Sequence, residues 1–365
     1  MVIIRTIYYY KLIFITVNSN NGFNFSELWR VSKLAKFNPR EVVVGLDVGR
    51  SGVKLAFLFN NEIKTHFIPS VVCLAKQLTF DANPKSTKEN TVEVDGKTYF
   101  VGETAIEQGA SQTVGLNSNW LDGVEHKALL QRSKNLLKSY GVIPRLIVAG
   151  LPVNTFNSNA GQLFEQVKAV FGCSVLPVPQ PWGVFQDCIL NDEGRYTANG
   201  TATAMKKFAV VDVGHFTTDI LLMNNFQWIQ ESSGSSVGMS KAVSELQNRL
   251  GVNGTNATLI ECQEIMRTRK VKEFGEFRDV TDVVDESIPM TVSTVVQEVK
   301  NYLGNQARTI DHIIIAGGGS QAVYDALKTM WRQCQLAENP RYSVVVGMRK
   351  YGIAQAINDP SCLES

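Results

Sequence analysis

Two short segments hold the residues best suited to chemistry. Gly45-Leu46-Asp47-Val48-Gly49-Arg50-Ser51-Gly52-Val53-Lys54 and Val211-Asp212-Val213-Gly214-His215-Phe216-Thr217-Thr218-Asp219 each follow an apolar run and set a carboxylate two residues before a glycine. Glycine lets backbone N–H groups come close to phosphate oxygens. Asp47 and Asp212 occupy corresponding places in the two turns, where a pair of carboxylates can hold the water shell of a Mg²⁺ that bridges those oxygens. The chemistry implied is that of a nucleoside triphosphate and its Mg²⁺ clamped between two lobes, with one turn from each.

These turns need strands to position them. Glu41 to Gly45 and Val53 to Phe59 read as β-runs flanking the first turn, while Lys207 to Val211 and Asp219 to Met223 flank the second, so each turn is the bend of a hairpin. The same unit recurring at a large separation is the signature of an internally duplicated α/β fold. A third segment, Asp311 to Ala316, reads as a buried strand entering Gly317-Gly318-Gly319-Ser320, with a helix over Gln321 to Trp331. Three glycines at a helix N-terminus leave a flat surface that suits a purine, a ribose or an α-phosphate. A plain glycine-rich strand-to-helix connection gives the same pattern, and the two phosphate turns argue for the nucleotide.

Composition sets bounds. A chain of 365 residues, 44% apolar and 19% charged, can build two cored domains, and a net charge of +2 supplies no basic stripe for direct, sequence-specific DNA binding. The cysteines Cys73, Cys173, Cys188, Cys262, Cys334 and Cys362 are scattered without metal-ligand spacing, as expected of reduced thiols in a cytoplasmic protein. Met1 to Val17 is apolar but interrupted by Arg5 and Lys11, which argues against a membrane span. Phe25 to Lys36 has helix-like spacing, and Asn38-Pro39 reads as a linker, so residues 1–40 form an N-terminal extension of unassigned role.

In this order the three segments resemble the motifs of the actin, sugar-kinase and heat-shock-chaperone ATPase superfamily. Within it the chain is most similar to the bacterial plasmid-segregation actins of the ParM/StbA type. The likeness extends to Glu125-His126-Lys127-Ala128-Leu129-Leu130 opening a helix, the strand Pro144 to Gly150 followed by Leu151-Pro152, the segment Pro177 to Gly183, and a strand Tyr342 to Gly347 before a closing helix Met348 to Ile357. The resemblance implies an actin-like ATPase fold of two duplicated ribonuclease-H-like lobes with a nucleotide cleft between them. Lobe I would span 41–205 and be closed by a C-terminal helix at 346–365; lobe II would span 206–345.

Roles follow from the resemblance. Asp47 and Asp212 would hold Mg²⁺, with Asp212 also ordering the attacking water. Gly49, Ser51 and Gly52 would face the β- and γ-phosphates, and Lys54 either reaches those phosphates or is a solvated strand residue. Gly214, Thr217 and Thr218 would line the second phosphate loop, where His215 stands in place of the relatives' usual glycine. Gly317, Gly318, Gly319 and Ser320 would receive the adenosine. Gln180 matches the residue that orients the hydrolytic water, and since an amide takes no proton at neutral pH, slow hydrolysis is expected; the other reading is a polar loop residue. The charged stretch Glu264, Arg267, Arg269 and Lys270 reads as a solvated helix face, His66 and His126 as structural, and Trp120 and Trp182 as gap-filling.

The expected function is an ATP-driven filament former that segregates plasmid or phage DNA, assembling with ATP·Mg²⁺ and disassembling after hydrolysis. GTP stands as an alternative nucleotide. Its expected partners are further copies of itself and a small DNA-binding adaptor at a centromere-like site. A small-molecule kinase, or a non-polymerising ATPase regulator of the same fold, is the alternative. A kinase calls for a carboxylate base aimed at a substrate hydroxyl, which the middle region lacks; a chaperone calls for a substrate-binding domain after the ATPase.

Overall fold

The computed structural model describes residues 37–109, 113–114 and 119–364. The readings of Met1 to Val17 and Phe25 to Lys36 lie outside the described residues. The Phe37 ring lies 4.2 Å beneath the Arg145 guanidinium. At Asn38-Pro39 the Asn38 side chain accepts from the Arg40 N–H and caps a short helix, Pro39–Val42, with proline in its first turn.

Each predicted hairpin is present. Val43–Val48 pairs antiparallel with Gly52–Phe59, placing Asp47 opposite Lys54. Lys207–Val213 pairs antiparallel with Thr217–Asn224, placing Asp212 opposite Asp219. Val43, Val44, Val210 and Val211 are fully buried because a parallel neighbour and covering helices take both faces, which is why these runs read as continuously apolar.

The two sheets share one topology. In the first, the order is Glu62–Pro69, Gly52–Phe59, Val43–Val48, Leu146–Leu151, Ser174–Pro179; the first three strands are antiparallel and the last two join in parallel. In the second, the order is Gln227–Trp228, Thr217–Asn224, Lys207–Val213, His312–Ala316, Cys334–Leu336, with the same senses, and Gly234–Val237 pairs additionally with Thr217–Asn224. The duplication expected from the paired turns is therefore a duplication of whole sheets. Each lobe carries an outer addition. The first bears a four-stranded antiparallel sheet that includes Val71–Leu74 and Lys97–Val101, and the second bears helices Ser240–Val252 and Leu259–Thr268 with a hairpin, Lys270–Glu273 and Glu276–Asp279.

Two helices join the lobes. Gln180–Ile189 and Ser343–Asn358 cross between the sheets, and Phe185, Val344 and Met348 from them share one core with Val148 of the first sheet and Phe208 and Leu221 of the second. The segment Tyr342 to Gly347, expected as a strand, is instead the start of this closing helix. Its run Val344-Val345-Val346 favours a strand locally, but the site demands backbone contact on two sides. A Cβ on Gly45 would overlap the Val345 carbonyl, and one on Gly347 would overlap the Gly183 carbonyl. Tertiary packing overrides the β-propensity of three valines.

Candidate functional site

The first turn is held from outside. Ser70 Oγ donates to the Gly49 carbonyl at 2.6 Å, and the Trp120 indole donates to the Val48 carbonyl at 2.9 Å. The indole thus fixes the strand end that carries Asp47, a role beyond the gap-filling expected for it. In the second turn the Gly214 N–H donates to the Thr217 carbonyl at 2.8 Å, and the carbonyls of Gly214, His215 and Phe216 accept from Met239, Ser240 and Gly238. Gly238 is required there, since a Cβ would meet the His215 and Gly214 carbonyls.

Both turns open into one cavity of about 620 Å³. From the first lobe, Asp47, Gly49, Ser51, Gly52, Lys54 and Gln180 line it; from the second, Asp212, Gly214, His215 and Thr217 do. Thr218 is not among its walls: its side chain is fully buried and its hydroxyl donates to the Val237 carbonyl at 2.8 Å. Asp219, passed over as the end of the motif, lines the cavity, as does His126.

The carboxylates differ in their company. Asp47 lies 3.5 Å from Lys54 Nζ and accepts from Gln180 Nε2 at 2.7 Å. Because a carboxylate only accepts, the Gln180 nitrogen must face it, and Oε1 is what the amide has left to offer a water. Burial pushes the Asp212 carboxyl up to about 7; Lys54 opposes that rise, while Asp219 and Asp47 add to it. Asp212 Oδ1 is buried with no hydrogen-bond partner among the described atoms. Burial likewise lowers His215 and His126 to about 4, so both imidazoles are neutral near pH 7.

The donor set fits Mg²⁺. Among the described residues no group of three or more His, Cys, Asp or Glu forms a metal cage. Magnesium prefers few carboxylates and keeps much of its shell as water and phosphate oxygen, and the orphaned Asp212 oxygen is one that could anchor such a shell.

The triglycine segment stands beside this site, behind the second turn. Gly317 adopts φ 88°, its N–H donates to the Pro340 carbonyl at 2.8 Å, and a Cβ there would meet Asp212 Oδ1. The Gly319 N–H donates to the Val213 carbonyl at 2.9 Å, and helix Ser320–Met330 begins at once. Nothing lies within 4 Å of the place a Gly318 Cβ would take, so this surface is open. The segment 317–320 does not line the cavity between the turns.

The remaining residues behave as surface and core. Arg267 pairs with Glu264 on an exposed helix face, but the expected face stops at Thr268: Arg269 is the left-handed C-cap of that helix and pairs with Asp285, and Lys270 opens a strand. All six cysteines are free thiols. No helix among the described residues is long and apolar enough to cross a membrane.

Residues 45–177 match the family model for the N-terminal domain of actin-like proteins, and residues 210–329 match that for the C-terminal domain of the archaeal MreB-like actin homologue. No curated protein sequence gives a significant match. Among solved structures, the chain is similar to the ParM of a 15-stranded filament from Clostridium botulinum, at 19% identity and a TM-score of 0.64, covering 86% of this chain and 99% of that one. It is similar to the archaeal actin homologue Ta0583 in complex with ADP, at 19% identity and a TM-score of 0.62, covering 87% and 99%. It is also similar to Bacillus thuringiensis ParM with ATP, at 14% identity and a TM-score of 0.59, covering 88% and 100%. With two like-built lobes meeting at paired glycine turns, and with both lobes matched by actin-like family models, the chain belongs to the actin-like proteins.

Proposed function

We propose that the chain is a slow Mg²⁺-dependent ATPase whose nucleotide cycle drives assembly and disassembly of an actin-like filament that segregates plasmid or phage DNA. The observation that carries this reading is the convergence of Asp47 and Asp212, from corresponding places in two like-built hairpins, on one cavity. ATP occupies the cleft with its phosphates between the turns and its adenosine toward the Gly317 to Ser320 segment, which is open at Gly318. Asp47 and Asp212 would hold Mg²⁺, which would neutralise charge developing on the phosphates. Lys54 balances Asp47 and adds positive charge on the phosphate side. Gln180 aligns the attacking water through Oε1 without removing its proton, which makes hydrolysis slow. The neutral His215 contributes shape and no charge at the loop tip.

Assembly is head-to-tail, since a heterologous contact that does not close gives an open polymer. The nucleotide sets filament lifetime through the angle between lobes. The similarity to a ParM captured as a filament, and to homologues holding ADP or ATP, supports this reading. A small DNA-binding adaptor at a centromere-like site couples the polymer to its cargo, and the protein works in the cytoplasm. The test is light scattering with Mg²⁺ on adding ATP, GTP or a non-hydrolysable analogue, with the pelleted product viewed by negative-stain microscopy. Polymer that forms with ATP and with the analogue, and decays only with ATP, is the expected result. Nucleotide binding without polymer at any protein concentration removes the filament and redirects the search to phosphoryl acceptors.

A further inference from the structure

The duplication places Lys54 and Asp219 at the same position of the two hairpins, each opposite its lobe's cleft aspartate, yet with opposite charge. Lys54 turns to Asp47 within its own lobe. Asp219 reaches across. Its Oδ1 accepts from the backbone N–H of Val153 at 2.7 Å, and Val153 is the first residue of helix Val153–Phe171 in the opposite lobe. The same carboxylate accepts from the hydroxyls of Ser235 and of Thr217, the latter at 2.8 Å.

A second set of bonds runs alongside. Ser235 N–H donates to Asn154 Oδ1 at 2.9 Å, Asn154 Nδ2 donates to the Ser235 carbonyl at 3.1 Å, and the Asn154 N–H donates to Ser235 Oγ at 3.1 Å. Val153 and Asn154 belong to one lobe, and Asp219 and Ser235 to the other. An anionic acceptor at the N-terminus of a helix of 19 residues also gains from the helix dipole. All of this lies at the wall of the cavity, where Asn154, Asp219 and Ser235 are lining residues.

We propose that Asp219 is a positioning residue that clasps the two lobes shut through Val153, reinforced by the Ser235–Asn154 pair, and thereby sets how long the cavity retains its nucleotide. The retention part rests on the ATP reading above. Thr217 makes the clasp responsive: its hydroxyl is shared between Asp219 and the cavity, so a phosphate that takes this donor alters the bonding of the carboxylate that holds the lobes.

The test compares wild type with Asn154→Ala, at an exposed position that tolerates truncation, and with Asp219→Ala. Hydrogen exchange at the Val153 amide and the radius of gyration are both measured without nucleotide, followed by dissociation of a fluorescent ATP analogue with Mg²⁺. The expected result is exchange and analogue release both faster, by about tenfold or more in Asp219→Ala, the scale for losing a charge-assisted hydrogen bond, and by about threefold or more in Asn154→Ala, the scale for neutral ones, with a larger radius of gyration. Wild-type exchange and radius in both variants overturn the clasp. Faster exchange with unchanged analogue release overturns its part in retention. If wild type binds no ATP analogue while the variants still open, the ATP reading falls and the clasp stands on exchange and scattering.

Discussion

Gly183 and Gly347 meet backbone to backbone where helix Gln180–Ile189 crosses helix Ser343–Asn358, so closely that a Cβ on Gly347 would overlap the Gly183 carbonyl and press on the Asp187 amide. The crossing is flanked by the ion pair of Lys350 with Asp187 at 2.8 Å, both side chains largely buried. These are the helices whose core residues reach both sheets, so their crossing ties the two lobes together. Gly347→Ala forces the helices apart and is expected to cost about 1–3 kcal/mol, the usual penalty of overpacking. Chemical unfolding measures it directly; stability equal to wild type would mean that the helices slide apart without strain.

Gln180 offers a sharper test of catalysis. Its amide nitrogen is committed to Asp47, so Gln180→Ala removes both that support and the acceptor proposed to face water. Phosphate release is expected to slow by about 100-fold, in the range for losing a positioned polar group in the transition state, while ATP affinity changes by less than about threefold because the phosphate turns remain intact. An equal loss in affinity and turnover would reassign Gln180 to binding.

Much of the fold was legible because the hairpins are local. Asp47 to Lys54 and Asp212 to Asp219 are each one strand, one glycine turn and the return strand, and their like spacing announces the duplication. The roles of Trp120 and Asp219 were not read, for different reasons. The Trp120 indole meets the Val48 carbonyl across 72 residues of sequence, a contact no local pattern encodes. Asp219 was within reach: superposing the two turns sets it on Lys54, a residue that was singled out. Thr218 shows the converse error, because side chains alternate along a strand and only one of Thr217 and Thr218 can face the cleft. The structure gives that face to Thr217.

Gly318 separates the nucleotide surface from folding. A Cβ there meets nothing within 4 Å, unlike one at Gly317, which would strike Asp212 and the Val213 carbonyl. Gly318→Phe should therefore leave the melting temperature within about 2 °C of wild type and weaken ATP binding by more than about tenfold through steric exclusion of the base. Unchanged affinity, measured by titration calorimetry, would move the adenosine away from this segment.

Asp212 carries a linkage prediction with a defined sign. In the folded protein its carboxyl is pushed up to about 7 by burial, above the value near 3.9 of an unfolded aspartate. Folding thus favours the protonated form; its stabilisation is complete below about pH 4 and is lost as pH rises through about 7. Asp212→Asn keeps the shape and removes the charge. Without Mg²⁺ the variant should be more stable than wild type by about 2–4 kcal/mol at about pH 8, and the gap should close steadily toward about pH 5. On the proposed function, Mg²⁺ with ATP should reverse the order, because only a carboxylate would anchor the ion's water shell, and the variant should bind nucleotide yet release no phosphate, so that any filaments it forms persist. Urea unfolding with chelator at several pH values tests the first part and light-scattering decay the second. A stability gap that stays constant with pH would show that the Asp212 carboxylate is already charged and solvated in the free protein, and would remove the reason for its buried, partnerless oxygen to attract a cation.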